Sequence, residues 1–510
     1  MGGARVLMLG LDAADADVVE RLISQGRLPN LQRLRLGGVS GRLSSPASRY
    51  AGAVWPTFYT GMEVPWHGVF HNKLWRPDAM RVEVAGEHWI GSRPIWESLG
   101  DEDLQLCLID VPMVLGPPKP LNGVHLSGWG THDVLSKGAW PPTLWQQLVE
   151  RHGAPIMPPE NFGAQSARSL QQLSVELERA TTQLRDIAIE LLQREPWQLA
   201  CVVFGATHRA GHYLWDRSQV NGRGAPDTEA TDAALADVYQ HVDAAIGTIL
   251  RSLDRETLVV AFAVHGMGAN PGWSDLLPDL LAQLETARSG EAPKRGLLYA
   301  LKQKLPFHWV RPVLRRLPLA VTDRLVSIWS ARMFDWSQTR YFPMPMDEAG
   351  YLRINLRGRE PDGIVNPGDE YDALCASLER LMLSLRDADT GAPLATEVHR
   401  AYQDADPQAP YRDLLPDLIV PWNGPPASST RHVVASELPE FRYRVPQRLP
   451  SGRSGNHTDG AWFIAHGPEV GQGRITTQHA VIDLLPTVLK HLEIAPVPGH
   501  GKPIDLRRPG

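Results

Sequence analysis

Short runs of consecutive apolar residues alternate along this chain with stretches whose apolar positions recur every three or four residues. Val6 to Leu11, Gln105 to Ile109, Cys201 to Phe204 and Leu258 to Val264 are runs of the first kind, the pattern of strands covered on both faces. Asp15 to Ser24, with Val18, Val19, Leu22 and Ile23 on one side, has helical spacing, as do Ser166 to Arg194 and Thr231 to Leu253. Shorter helices are predicted at Pro94 to Gly100, Pro141 to Arg151, Tyr371 to Leu385 and Ala480 to Leu492. Strand pattern returns at Thr339 to Phe342, Tyr351 to Leu356, Leu415 to Pro421 and Gly460 to Ala465. Strands alternating with helices of this length predict a doubly wound α/β sheet. Residues 272–335 differ: they are rich in Leu, Arg, Pro and Trp, include the basic stretch Lys302 to Arg316, and read as a helical insertion or cap. Residues 1–271 and 336–510 are then expected to form one α/β core.

Composition narrows the partners. Against 51 Lys and Arg stand 57 Asp and Glu among 510 residues, a near balance that argues against nucleic acid or an anionic membrane. No segment approaches the roughly 20 apolar residues of a membrane helix, and the MGGARVLMLGLD start lacks the long apolar stretch and cleavage site of a signal peptide. A cytoplasmic protein is expected. Cys107 and Cys201 sit in apolar runs far from each other and from Cys375, which suggests buried thiols rather than a disulfide framework. No P-loop or Gly-rich dinucleotide turn follows a strand.

The polar residues that break the apolar runs carry the chemistry. After Cys201 to Phe204 the chain turns at Gly205 and presents His208 and His212 four apart, on one face of a helix. Asp12 and His265 likewise stand just past predicted strands, at the edge where open α/β sheets bind ligands. His457 lies in the loop sequence Ser454-Gly-Asn-His-Thr-Asp-Gly. Singly, each is explained as a cap or a hydrogen-bonded loop residue; together they form a candidate metal-ligand set.

Further motifs point to a family. Val6 to Asp12, Trp55-Pro-Thr-Phe-Tyr-Thr-Gly, Pro65-Trp-His-Gly and Asn72 resemble the type I phosphodiesterase and nucleotide pyrophosphatase branch of the alkaline phosphatase superfamily. So do Tyr351 to Tyr371, Leu415-Pro-Asp-Leu-Ile-Val, Asp483-Leu-Leu-Pro-Thr-Val-Leu and Pro503-Ile504. The resemblance implies an alkaline phosphatase-like, doubly wound, mostly parallel sheet sandwiched by helices, with 272–335 as the cap. It also implies two zinc ions flanking a Thr or Ser nucleophile. Carried over by motif, one ion falls to His208, His212 and His457, with His208 where Asp is usual. The other falls to Asp12 and His265, with Val264 in place of an Asp. Asn72 takes the place of an amide that donates to a phosphoryl oxygen.

At the nucleophile position the sequence has Ala51. An engineered alanine, a shifted register that leaves Ser48 or Thr57 to act, and loss of covalent catalysis are the three readings, with natural divergence favoured because His208 and Val264 also depart. Three neutral imidazoles leave zinc an open position for a water whose pKa falls to roughly 7, so loss of the hydroxyl does not require loss of hydrolysis. One tight zinc ion is expected, the second weak or absent, with Asn72, Lys73 and Arg49 compensating in part on the substrate. The expected function is zinc-dependent hydrolysis of a small molecule, foremost a phosphodiester or a related phosphate or sulfate ester. The alternatives are a different reaction at a lone His-rich zinc site and a non-catalytic binding protein.

Overall fold

The apolar runs are the central strands. The computed structural model describes residues 4–86, 93–99, 104–131, 137–156, 163, 165–216, 218–221, 228–253, 256–273, 276–290, 330, 334–344, 346, 349–446, 448–449, 451–496 and 499–507. Contacts group the chain into two units, one of residues 1–70, 86–270 and 450–510, the other of 71–85 and 271–449.

In the first unit we label the strands β1 (Arg5–Leu11), β2 (Val39–Ser44), β3 (Leu106–Ile109), β4 (Gly123–Ser127), β5 (Gly138–Trp140) and β6 (Leu199–Phe204). They are followed by β7 (Thr257–Ala263), β8 (Gly266–Ala269), β9 (Gly455–Thr458), β10 (Ala461–His466) and β11 (Gly473–Ala480). Nine of them make one sheet in the order β11-β2-β10-β7-β1-β6-β3-β4-β5. The pairs around β1 are parallel, while β10 runs against β7 and β2, and β5 against β4. β8 and β9 form a separate antiparallel pair.

Successive side chains of a strand point to opposite faces, and here both faces are dry. Leu7, Leu9 and Leu11 of β1 join Ala200, Val202 and Phe204 in one apolar cluster. Val6 and Met8 join Leu199, Cys201 and Val203 in another. The first cluster is covered by α1 (Ala16–Ser24), α3 (Ala167–Arg194) and α5 (Thr228–Arg251), the second by α2 (Val54–Thr60) and the closing helix Leu484–His491. Between β6 and α5 runs α4 (Ala206–Leu214), which is buried along its whole length. The doubly wound α/β expectation is therefore met. All three cysteines are buried free thiols, and no helix among the described residues is long and apolar enough to cross a membrane.

The second unit has its own core, in which Trp273, Leu276, Ile354, Leu378 and Leu418 pack together. Antiparallel three-stranded sheets, 341–343 with 350–354 and 418–420 and 385–387 with 432–435 and 438–444, build it with helix Asp369–Leu383. The sequence reading placed 336–510 with 1–271 in one α/β core; by contacts, 336–449 group with 271–290 and with the hairpin of Lys73–Arg76 and Arg81–Val84 in the second unit. Helix Leu276–Ser289 opens the predicted insertion. Most of the rest of that stretch, with Lys302 to Arg316, lies outside the described residues.

Candidate active site

Three parallel strands deliver the first residues of the site at their carboxyl ends. β1 is followed at once by Asp12, β7 is followed by Val264 and His265, and β6 turns at Gly205 into α4, which carries His208 and His212 one turn apart. Gly205 keeps this turn close, since a Cβ would come a tight 3.1 Å from the carbonyl oxygen of Gly130. His457 arrives on β9, a strand rather than the expected loop, where it pairs with Met267 of β8, two residues past His265.

The sequence-predicted histidines converge. His208, His212 and His457 offer nitrogens within 4.8 Å of one another, and so do the ligand atoms of Asp12, His208 and His265. Ring centroids of the first three lie 4.8 to 4.9 Å apart.

Hydrogen bonds determine which nitrogen is available. His208 Nδ1 is 2.7 Å from Asp12 Oδ2, and His212 Nδ1 is 3.0 Å from the carbonyl oxygen of Gly455. A carboxylate and a carbonyl accept, so each Nδ1 carries the hydrogen and donates. The two Nε2 atoms, both with lone pairs outward, then face each other at 2.9 Å. A shared proton does not settle this contact. Burial, with further contributions from Arg453 and Arg209, pushes His208 well below the usual imidazole value; burial and Arg453 do the same to His212. A divalent cation would settle it, since both Nε2 atoms could hold it while each Nδ1–H is held by an oxygen, the ordinary arrangement of metal-ligating histidines. Zinc with three imidazoles and one open position fits this donor set.

The remaining predicted residues are placed differently. Asp12 Oδ1 accepts from Trp55 Nε1 at 2.8 Å, and His265 Nε2 is 3.9 Å from that oxygen. Burial lowers His265 to about 4, and its Nδ1, fully buried, has no hydrogen-bond partner. Val264 is turned into the apolar cluster with Trp55 and Phe262 and supplies no ligand. Ala51, buried, opens a turn of 3₁₀ helix after the short helix Ala47–Tyr50, which carries Ser48 and the exposed Arg49. Thr57 has no general base in His67. Val69 N donates to His67 Nδ1, so His67 Nε2 carries the hydrogen and donates to Thr57 Oγ1 at 3.1 Å. Burial holds His67 down at about 3, so this ring stays neutral and does not deprotonate the threonine. Asn72, exposed, and Lys73, half-buried, belong to the second unit, where the carbonyl of Asn72 accepts from Ala85 N.

Three contributors were missed in the sequence reading: Trp55, Arg209 and Arg453. Trp55 was seen only as motif and packing, although it holds Asp12. Arg209, buried between the two histidines of α4, had its position as a signal; Arg453 had none beyond lying four residues before His457.

Glycines let the segments approach. A Cβ on Gly455 would lie 2.0 Å from the carbonyl oxygen of Gly211. Gly455→Ala should therefore push β9 off α4, costing about 1–3 kcal/mol of stability as overpacking does, and weaken metal binding through His457. Isothermal titration with zinc checks this; an unchanged affinity would mean that β9 is not held by this contact.

No curated protein sequence matches the chain. Among solved structures it is similar to an inactive threonine-to-alanine variant of murine ectonucleotide pyrophosphatase / phosphodiesterase 5 in complex with AMP. The two are 12% identical, with a TM-score of 0.51 over 98% of this chain and 97% of that one. Human ectonucleotide pyrophosphatase / phosphodiesterase 5 matches with 14% identity and a TM-score of 0.49 over 98% and 97%. Phosphonoacetate hydrolase from Sinorhizobium meliloti 1021 in complex with phosphonoformate matches with 12% identity and a TM-score of 0.49 over 96% and 95%. The likeness to the murine structure shows a common fold. At the level of sequence, the model of the type I phosphodiesterase / nucleotide pyrophosphatase family matches residues 6–420. With that match over most of its length, the chain belongs to this family of metal-dependent phosphoester hydrolases in the alkaline phosphatase superfamily.

Proposed function

We propose that the protein hydrolyses a small phosphodiester with one tightly held zinc ion at His208, His212 and His457, the second ion of the family being weak or absent. The observation that carries this reading is the pair of opposed Nε2 lone pairs at 2.9 Å, each ring fixed from behind by an oxygen acceptor. When bound, the ion supplies Lewis-acid polarisation and a water acidified to a pKa of roughly 7.

The chain's own residues do the rest. His208 and His212 stay neutral and keep their Nε2 atoms aimed at one point. Arg209 and Arg453, whose charge is felt at His208, favour an anionic substrate beside the three uncharged imidazoles. Ala51 offers no hydroxyl, so water rather than a side chain at that position attacks phosphorus. The murine neighbour is described as inactive with threonine replaced by alanine; hydrolysis here would show that this chain has moved to a route without the hydroxyl. The missing hydroxyl also supports a second reading, in which the same ion serves a different reaction on a small metabolite. The buried free thiols support a reducing compartment such as the cytoplasm.

Protein stripped with a chelator and reloaded with zinc should cleave bis(4-nitrophenyl) phosphate faster than 4-nitrophenyl phosphate and lose both activities when the ion is removed. No cleavage of any phosphate ester at saturating zinc, with turnover of a carboxyl ester instead, would favour the second reading.

A further inference from the structure

We infer that Asp12 is a positioning residue that holds the His208 imidazole from behind, and that the single lone pair of His208 limits this centre to one metal ion. The inference deepens the metal-site reading proposed above and rests on it.

His208 belongs to both candidate ligand groups, with His212 and His457 on one side and with Asp12 and His265 on the other. A neutral imidazole has one nitrogen with a free lone pair and one that bears hydrogen. Nδ1 gives its hydrogen to Asp12 Oδ2 at 2.7 Å, which leaves only Nε2, directed at His212. The Asp12 side therefore receives no lone pair from this ring.

Nor do the other groups there make up the loss. Asp12 Oδ1 already holds the indole hydrogen of Trp55 at 2.8 Å, and Thr207 Oγ1 donates to the Asp12 carbonyl at 2.6 Å, so the residue is tied at three points. Val264 contributes an apolar side chain to the cluster beneath. What remains is one lone pair on each oxygen of the Asp12 carboxylate and the His265 ring, whose Nε2 lies 3.9 Å from Oδ1. Two ligating residues fall short of the three protein ligands that a zinc site ordinarily has. The same hydrogen bond that removes the second site serves the first, because a carboxylate behind a ligating histidine fixes its tautomer and raises its basicity.

The test is a count of zinc ions per chain together with the affinity of each, on wild-type protein, Asp12→Asn and His265→Ala, with apo melting curves as the check on folding. An amide at position 12 presents one acceptor oxygen to two donors, the Trp55 and His208 N–H groups. One ion is expected in all three proteins, bound roughly 10- to 100-fold more weakly in Asp12→Asn and with unchanged affinity in His265→Ala. A merely structural aspartate would lower the apo melting temperature without that loss of affinity, which would overturn the positioning role. Two ions in wild type, one of them lost in either variant while the other keeps its affinity, would overturn the one-ion limit yet leave the hydrolase reading standing. No ion in wild type would overturn both. Should Asp12→Asn fail to fold, the wild-type count and His265→Ala still decide the limit.

Discussion

Replacing His212 by alanine should abolish zinc retention and, with it, phosphoester cleavage. The side chain is buried, its Nδ1–H is fixed by Gly455 O at 3.0 Å, and its Nε2 lies 2.9 Å from that of His208. Losing a partner behind a ligand costs roughly 10- to 100-fold in affinity; losing the ligand itself leaves two histidines and should cost more. The carbonyl of Gly455 also loses its donor, for which about 1–3 kcal/mol of stability is expected to go. Metal content by mass spectrometry and thermal melts with and without zinc separate the two effects. Wild type should gain about 2.7 kcal/mol from zinc at 100 times the dissociation constant, and the variant none. A variant that keeps its zinc and its zinc-dependent stabilisation would remove His212 from the site.

Asp417→Ala should be the most damaging single change in the second unit. Asp417 is fully buried and accepts from Arg359 Nη1 and Nη2 at 2.9 and 2.8 Å, from Tyr371 Oη at 2.6 Å and from the backbone of Ile354. Beside it Arg353 donates to Glu360, and both are buried. Such a network adds little over apolar packing, but removing one member strands the opposite charge, at about 3–5 kcal/mol. Burial pushes the Asp417 carboxyl up, and Arg359 more than reverses this, leaving it below the usual carboxylate value. A depressed folded-state value stabilises at pH above the unfolded value of roughly 3.9. That contribution is lost as pH falls through the folded value, so the gap between wild type and variant should be widest at neutral pH and close in acid. Hydrogen exchange at 350–354 and 418–420 across that range is the measurement; a gap independent of pH would mean that the carboxylate charge is not what stabilises the unit.

The sequence was informative where structure is local. Apolar runs in a parallel sheet must be dry on both faces, so β1, β6 and β7 could be read from composition alone, and the polar residues that end them had to stand at the carboxyl edge. Asp12, His208, His212 and His265 were therefore legible as a candidate site, and the motifs around Trp55 and Leu415 as a family. The edge strand Gly473–Ala480 and the hairpin of His432–Ala435 with Leu438–Arg444 were missed, since half-exposed strands have no continuous apolar run.

Tertiary packing alone decided the chemistry of the site. Which nitrogen of His208 bears the hydrogen depends on an aspartate 196 residues away, and which of His212 does on a carbonyl 243 residues away. Whether Thr57 could act depended on His67 being buried against it with its hydrogen on the wrong nitrogen. Periodicity reports which face of an element is dry. It carries no information on the direction of a hydrogen bond between elements brought together only when the sheet closes its cores, and at this centre those directions determine where a metal ion can bind.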